Sequence, residues 1–379
     1  MTLEVDVALA RPSFDLVASF HTGSGVTALF GHSGSGKTTL INMVAGLVRP
    51  DRGRILVDGR ALFDSEAGID LPSHRRRVGY VFQESRLFPH LTVRQNLLYG
   101  SWFRGRGFRL GSVDQIVELL GIGDLLPRRP SSLSGGEKQR VAIGRAILSD
   151  PAILLMDEPL ASLDDARKGE ILPYLERLRD GLDLPILYVS HSLPEVIRLA
   201  TTMVVLAEGK VTAAGSVEAV MERSDLFPAT GHPEGGSVLE ARVAAHDAEF
   251  GLTELETAGG VLRVPHLDSA VGSRLRVLVQ SRDVMIATER PAHISALNIL
   301  AGRIATLRDD GHSTGEATIL VGGSGSGAGT IRARITRRSI HQLGLAPGRE
   351  VFAVVKTVAI DDRSIGHYPG RPGRKPEEI

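Results

Sequence analysis

The residues TALFGHSGSGKTTLINMVAGL, 27–47, decide how the first half of the chain folds. TALF (27–30) is a short apolar run of strand length, and KTTLINMVAGL (37–47) has a helical pattern that ends at glycine, with Pro50 close behind. Between them GHSGSGKT (31–38) matches G-x-x-x-x-G-K-[ST], with the strand before it and the helix after it that the pattern needs. Glycines let consecutive backbone N–H groups turn inward around an anion, and a helix N-terminus adds the positive end of its dipole. Gly31, His32, Ser33, Gly34, Ser35, Gly36, Lys37, Thr38 and Thr39 are therefore candidates for holding the phosphates of ATP. Lys37 supplies a counter-charge for the β and γ phosphates, and Thr38 a ligand for Mg²⁺.

Outward from this stretch, residues 1 to about 225 alternate short β-branched runs with longer helical patterns, as a largely parallel α/β sheet requires. AILLMD (152–157) and PILYVSH (185–191) are continuous apolar runs, the mark of strands buried on both faces. DARKGEILPYLERLRD (165–180) reads as mostly helical despite Pro173. Asp157 ends a buried strand and can reach a Mg²⁺ shell, and Glu158 beside it is placed to polarise an attacking water. By itself Asp-Glu-Pro could equally be a solvated turn. The early Phe14 can stack on adenine or belong to the core.

Beyond FPATGHPEGGS (227–237), rich in Pro and Gly, the pattern changes to short strands separated by turns, and a domain boundary is expected there. VLEARVAAHD, LRVLVQSRDVMIA, GEATILVG, TIRARIT and EVFAVVKTVAI read as strands of a small barrel or sandwich, with GGSGSGAG (322–329) as a flexible connection. The tail HYPGRPGRKPEEI has nothing to bury and is expected to be disordered. Lysines and arginines equal aspartates and glutamates at 44 each, which removes the general electrostatic case for a nucleic-acid partner. With no cysteine, disulfides and thiolate metal sites are excluded. The N-terminus has acids where a signal peptide needs a basic start and an apolar run. No apolar stretch approaches the roughly 18 to 20 residues that span a bilayer, so any membrane is expected to be crossed by another chain.

LSGGEKQR (133–140) matches the signature sequence of ABC ATPases, and with it the first half of the chain resembles that family. The resemblance implies an α/β P-loop NTPase domain over 1–229. Two such domains pair head to tail, so that Ser134, Gly135 and Gly136 of one copy meet the γ-phosphate of ATP held by the other. It also implies that Gln83 touches Mg²⁺ and water, that Asp164 couples the paired sites, and that His191 is a switch contacting the γ-phosphate. His32 stands where related importers often have proline.

VFQESRLFPHLTVRQNLLYG (81–100) and LSGGEKQRVAIGRAIL (133–148) resemble the ATP-binding subunits of molybdate importers more than other import motors. Arg86, Leu87, Phe88 and Pro89 would then receive a coupling helix of the membrane protein. SALNILAGRI (295–304) and SIHQLGLAPGREVFAVVKTVAI (339–360) look like the molybdate-binding Mop module, expected over 289–366, after a linker and OB-like strands over 230–288 and before a disordered tail at 367–379. In such modules hydroxyls, N–H groups and a lysine hold the oxyanion, which makes Ser295, Asn298, Ser339 and Lys356 candidates for molybdate or tungstate. Some binding modules carry an arginine where this chain has Leu297, so a structural, dimerising role is the alternative.

The resemblance implies a homodimer on the cytoplasmic face of the inner membrane. Its partners would be permease subunits and, through them, a periplasmic or extracellular molybdate-binding protein, with no nucleic acid. An importer for sulfate or a sugar, or a soluble ABC ATPase acting on ribosomes or DNA, are the competing readings.

Overall fold

The computed structural model describes residues 2–12, 14–100, 112–182, 184–223, 236–309, 313–322, 329–360 and 364–368. Contacts divide the chain into two compact units, Met1–Val217 and Glu218–Tyr368. Most of the composition break at 227–237, of the glycine-serine run and of the expected tail lies outside the described residues.

The first unit opens with β1 (Leu3–Arg11), β2 (Phe14–Thr22) and β3 (Val26–Phe30), followed by α1 (Lys37–Ala45). Next come β4 (Arg52–Val57), β5 (Arg60–Asp64), β6 (Ile69–Asp70) and β7 (Val78–Val81), then α2 (Val93–Leu98), α3 (Val113–Leu119) and α4 (Gly135–Leu148). The remainder is β8 (Ile153–Asp157), α5 (Asp165–Gly181), β9 (Ile186–Ser190), α6 (Leu193–Leu199), β10 (Thr202–Ala207) and β11 (Lys210–Ser216). Its one sheet runs β6-β5-β4-β1-β2-β11-β10-β3-β9-β8-β7. The run from β10 to β7 is parallel. β3, β8 and β9 are buried at every residue, which explains why their sequences are apolar without alternation. Strand β1 alternates instead, because it pairs antiparallel with β2 and β4 and only one of its faces meets the core. In the parallel part the loops after β3 and β8 leave the sheet at the carboxyl ends of strands that both flank β9, where ligands bind in open α/β sheets.

The division between units falls within α7 (Val217–Glu222). The second unit contains β12 (Gly236–Asp247), β13 (Leu252–Thr257), β14 (Gly260–Pro265), β15 (Arg274–Gln280), β16 (Val284–Ala287), β17 (Asn298–Asp309), β18 (Thr314–Val321) and β19 (Gly329–Thr336). It ends with α8 (Arg337–Gln342), β20 (Glu350–Val355) and β21 (Ile365–His367). Two five-stranded sheets, β14-β13-β12-β15-β21 and β16-β20-β17-β18-β19, enclose one core that runs from Leu239 to Ile365. The expected border at 288/289 does not separate the sheets. β21 joins the first sheet and β16 the second, so each half of the sequence lends a strand to the other.

Candidate nucleotide site

The loop after β3 is shaped by steric demands that only glycine meets. At Gly36 φ is 103°, and a Cβ there would stand 2.6 Å from Phe14 Cζ. The Phe14 ring therefore lies directly against the loop, while partly packing on the core. Lys37 is 4% exposed, and its ammonium donates to the carbonyls of Gly31 (2.8 Å) and His32 (2.9 Å). Burial pulls its pKa below the ordinary lysine value, and Glu158 and Asp157 partly oppose that pull. His32 Nδ1 lies 2.8 Å from the Ser33 carbonyl, so this side chain braces the loop through a hydrogen bond.

Asp157 closes β8 one strand away from β9 and two from β3. Thr38 Oγ1 donates to Asp157 Oδ1 at 3.1 Å, and the Tyr80 hydroxyl stands 3.4 Å from Oδ2 and 2.9 Å from Asn42 Oδ1. Burial raises the Asp157 pKa, the Thr38 hydrogen bond lowers it, and the neighbouring Glu158 charge raises it again. Burial likewise pushes the Tyr80 phenol up. Two hard oxygens meeting beside a buried ammonium fit a hydrated Mg²⁺ on a polyphosphate. Glu158 has φ 45°, a left-handed backbone that costs a non-glycine residue about 1–3 kcal/mol. Its N–H donates to the Val189 carbonyl at 3.1 Å, and its Oε1 lies 3.3 Å from His191 Nδ1. The strand end thus carries its carboxylate in a strained turn held against β9.

A cavity of about 510 Å³ brings together Phe14, Ser33, Gly34, Gly36, Lys37, Thr38, Thr39, Gln83 and Glu158. Ser134, Gly135, Gly136 and Asp164 do not line it. Ser134 caps α4 in a reciprocal box: its N–H donates to Glu137 Oε2 (2.7 Å) and its Oγ accepts from Glu137 N–H (3.3 Å). The first of those bonds is the main reason the Glu137 carboxyl titrates below its usual range. Asp164 caps α5, accepting from Arg167 N–H at 2.9 Å. Both helix starts have exposed capping residues.

In the second unit the four oxyanion candidates do not converge within one chain. Asn298 is fully buried, with Oδ1 accepting from Arg263 N–H (2.6 Å) and Nδ2 donating to Arg263 O (3.0 Å). Its side chain joins β14 to β17 and is withdrawn from the surface. Exposed Lys356 follows Val355, the register partner of Asn298, and exposed Ser295 lies just ahead of the same strand end. Ser339 sits on α8, beyond Thr336, which pairs with Thr314 at the far end of β17. Its hydroxyl is 2.8 Å from Thr336 Oγ1.

Three supporting residues have no motif to reveal them. Arg76 is 1% exposed and donates to the carbonyls of Met43 (2.7 Å), Val44 (3.1 Å) and Leu71 (2.6 Å) and to Asp70 Oδ1 (3.0 Å). It thereby caps the C-terminus of the helix whose N-terminus carries the phosphate loop. Asn96, also fully buried, accepts from Phe88 N–H (2.8 Å) and donates to Phe88, Leu91 and Thr92 carbonyls. Arg145 donates to the Arg86 and Ser85 carbonyls, and its guanidinium lies 5.3 Å from the Phe88 ring centre. Leu87 and Phe88 are accordingly half-buried rather than a bare patch. Only the run RRR at 75–77 and an Asn four residues after Thr92 could have hinted at these roles.

The model of the ABC transporter family matches residues 17–161, and that of the TOBE domain matches residues 294–361. A solved structure of cbiO1 from Clostridium perfringens, part of the ABC transporter complex cbiONQ, superposes with a TM-score of 0.50 at 28% identity, over 60% of this chain and 92% of that one. The molybdenum import ATP-binding protein ModC of Mesorhizobium japonicum is 55% identical over 366 residues, 97% of this chain and 98% of its own. That of Rhizobium meliloti is 52% identical over 361 residues, 95% of this chain and 100% of its own. At such identity over the whole length, with the phosphate loop, paired carboxylates and signature all in place, the chain belongs to the family of molybdenum import ATP-binding proteins.

Proposed function

We propose that the chain is the ATP-hydrolysing subunit of an importer for molybdate, and that two copies act together on the cytoplasmic face of the membrane beside permease subunits. The observation that carries the hydrolytic reading is the strained Glu158, whose carboxylate lines the phosphate cavity and touches His191. Glu158 orients a water for in-line attack on the γ-phosphate, and Lys37, with its ammonium pre-aligned by two carbonyls, balances charge on the β and γ oxygens. His191 adds a donor on the γ side. Thr38, Asp157 and Gln83 would hold Mg²⁺, which when bound neutralises phosphate charge. Phe14, against the loop at Gly36, stacks on the adenine. Ser134, Gly135, Gly136 and Asp164 lie outside this cavity, which supports their acting on ATP held by the second copy.

Arg86, Leu87, Phe88 and Pro89 form the surface for the permease, braced from behind by Asn96 and Arg145. No helix among the described residues is long and apolar enough to cross a membrane. The cargo reading rests on the names of the relatives, and a periplasmic or extracellular molybdate-binding protein would deliver it. Because the second unit's candidates do not gather in one chain, oxyanion binding there would need side chains from two copies. The test is genetic. A deletion strain grown on scarce molybdate should lose molybdoenzyme activity and regain it with the wild-type gene but not with Glu158→Gln. A defect confined to sulfate-limited growth would overturn the cargo, and rescue by Glu158→Gln would overturn the chemistry.

A further inference from the structure

Behind His191 lies a buried polar network that the hydrolytic chemistry does not itself use. Glu195, in the first turn of α6, is 5% exposed. Its Oε2 accepts from the hydroxyls of Tyr188 (2.9 Å) and Ser190 (2.8 Å), and its Oε1 lies 3.2 Å from Lys168 Nζ. Ser190 Oγ in turn accepts from Ser192 N–H at 3.0 Å. One carboxylate thus fastens both neighbours of His191: Ser190 directly, and Ser192 through the Ser190 oxygen. The Ser192 side chain does not cap α6, so Glu195 organises that turn where a cap would ordinarily do so.

A buried carboxylate is tolerated only when its oxygens are paired, and here every donor comes from an element that matters to the site. Tyr188 and Ser190 belong to β9, the strand that ends immediately before His191. Lys168 belongs to α5, where its N–H donates to the Asp164 carbonyl at 2.9 Å, one turn from the helix start. In a low-dielectric interior such a pair holds its geometry stiffly, so a shift of the α5 N-terminus pulls on the turn that carries His191.

We propose that Glu195 is a positioning residue for His191, and that Lys168 links this turn to the helix capped by Asp164. The inference rests on the reading of His191 given above. The experiment measures single-turnover ATP hydrolysis and ATP affinity of the full-length protein. Glu195→Ala should lower the rate about 10- to 100-fold through misplacement of His191 while ATP affinity stays within about twofold. In a His191→Ala background the same change should cost nothing beyond about twofold, because the residue it acts through is gone. Lys168→Met and Glu195→Gln should each lower the rate, their combination should be no worse than the stronger of the two, and Lys168→Arg should restore it. If Glu195→Ala does not fold, those milder variants decide the matter in the same His191→Ala background. Additive losses there, or lost affinity in place of rate, would overturn the proposal. A wild-type rate for His191→Ala alone would instead remove the catalytic role of His191 and this inference with it.

Discussion

Replacing Arg76 by alanine should destabilise the first unit more than any change to the catalytic residues, although Arg76 touches no substrate. Its guanidinium serves three carbonyls and one carboxylate while 1% exposed. The losses differ from bond to bond. The Met43 carbonyl keeps a second donor in Gly46 N–H, so its loss is small. Leu71 O and Val44 O lose a charged donor at about 1–3 kcal/mol each. Asp70 is 37% exposed and regains hydration, so its ion pair adds little. Removing a positive charge from the end of α1 adds roughly 0.5 kcal/mol. The sum is about 2.5–6.5 kcal/mol, reaching into the upper tail for single substitutions.

Lysine should recover less than half, since one ammonium cannot reach Leu71, Met43 and Asp70 together. Helical circular dichroism in urea follows mainly the first unit, which contains α1 to α6. The expected result is a lowered midpoint at unchanged slope. A loss below about 1 kcal/mol, as for an ordinary surface change, would refute the idea that this arginine anchors the phosphate-loop helix.

Lys37→Met should abolish ATP binding, and the urea midpoint of the empty variant relative to wild type should fall as pH rises from about 7 toward the ordinary lysine value of 10.5. Burial depresses the lysine's pKa in the fold, so the cost of keeping it charged is present at neutral pH and fades toward 10.5; a difference in midpoint that does not change with pH would contradict the sign. Dimers that combine a Ser134→Arg copy with a Lys37→Ala copy should keep nucleotide occupancy at one site, because both defects can fall on the same ATP. Failure of any mixture to retain it would exclude action in trans. Asn298→Ala should cost the second unit about 2–4 kcal/mol by leaving two backbone groups of Arg263 without partners. A shift in thermal unfolding no larger than that of Ser295→Ala would show that the bridge contributes little.

The nucleotide site was legible because its chemistry is local in sequence. Strand, glycine turn, lysine and helix follow one another within residues 27–47, so spacing alone brings Lys37 and Thr38 to one cavity. Asp157 and Glu158 could be read for the same reason: a buried parallel strand must end where its neighbours end, and polar residues there face the ligand. The oxyanion candidates were not legible in that way. Ser295 and Asn298 are separated in the chain from Ser339 and from Lys356, and only the register of β17 shows Ser339 at the opposite end from Lys356.

The sequence by itself determined the parallel α/β unit, the strand-rich second unit and which residues are candidates for binding phosphate, since hydrophobic period and glycine geometry act over a few residues. Only the tertiary structure decided which polar side chains are spent on the fold. Asn298 turned inward to satisfy the Arg263 backbone. Arg76, one arginine in a run of three, was buried against a helix end, while Glu195 was gathered with Lys168, Tyr188 and Ser190 from three elements. The physical reason is common to all three. A buried polar group must find partners wherever packing brings them, and packing joins residues far apart in the chain by rules that no local pattern records.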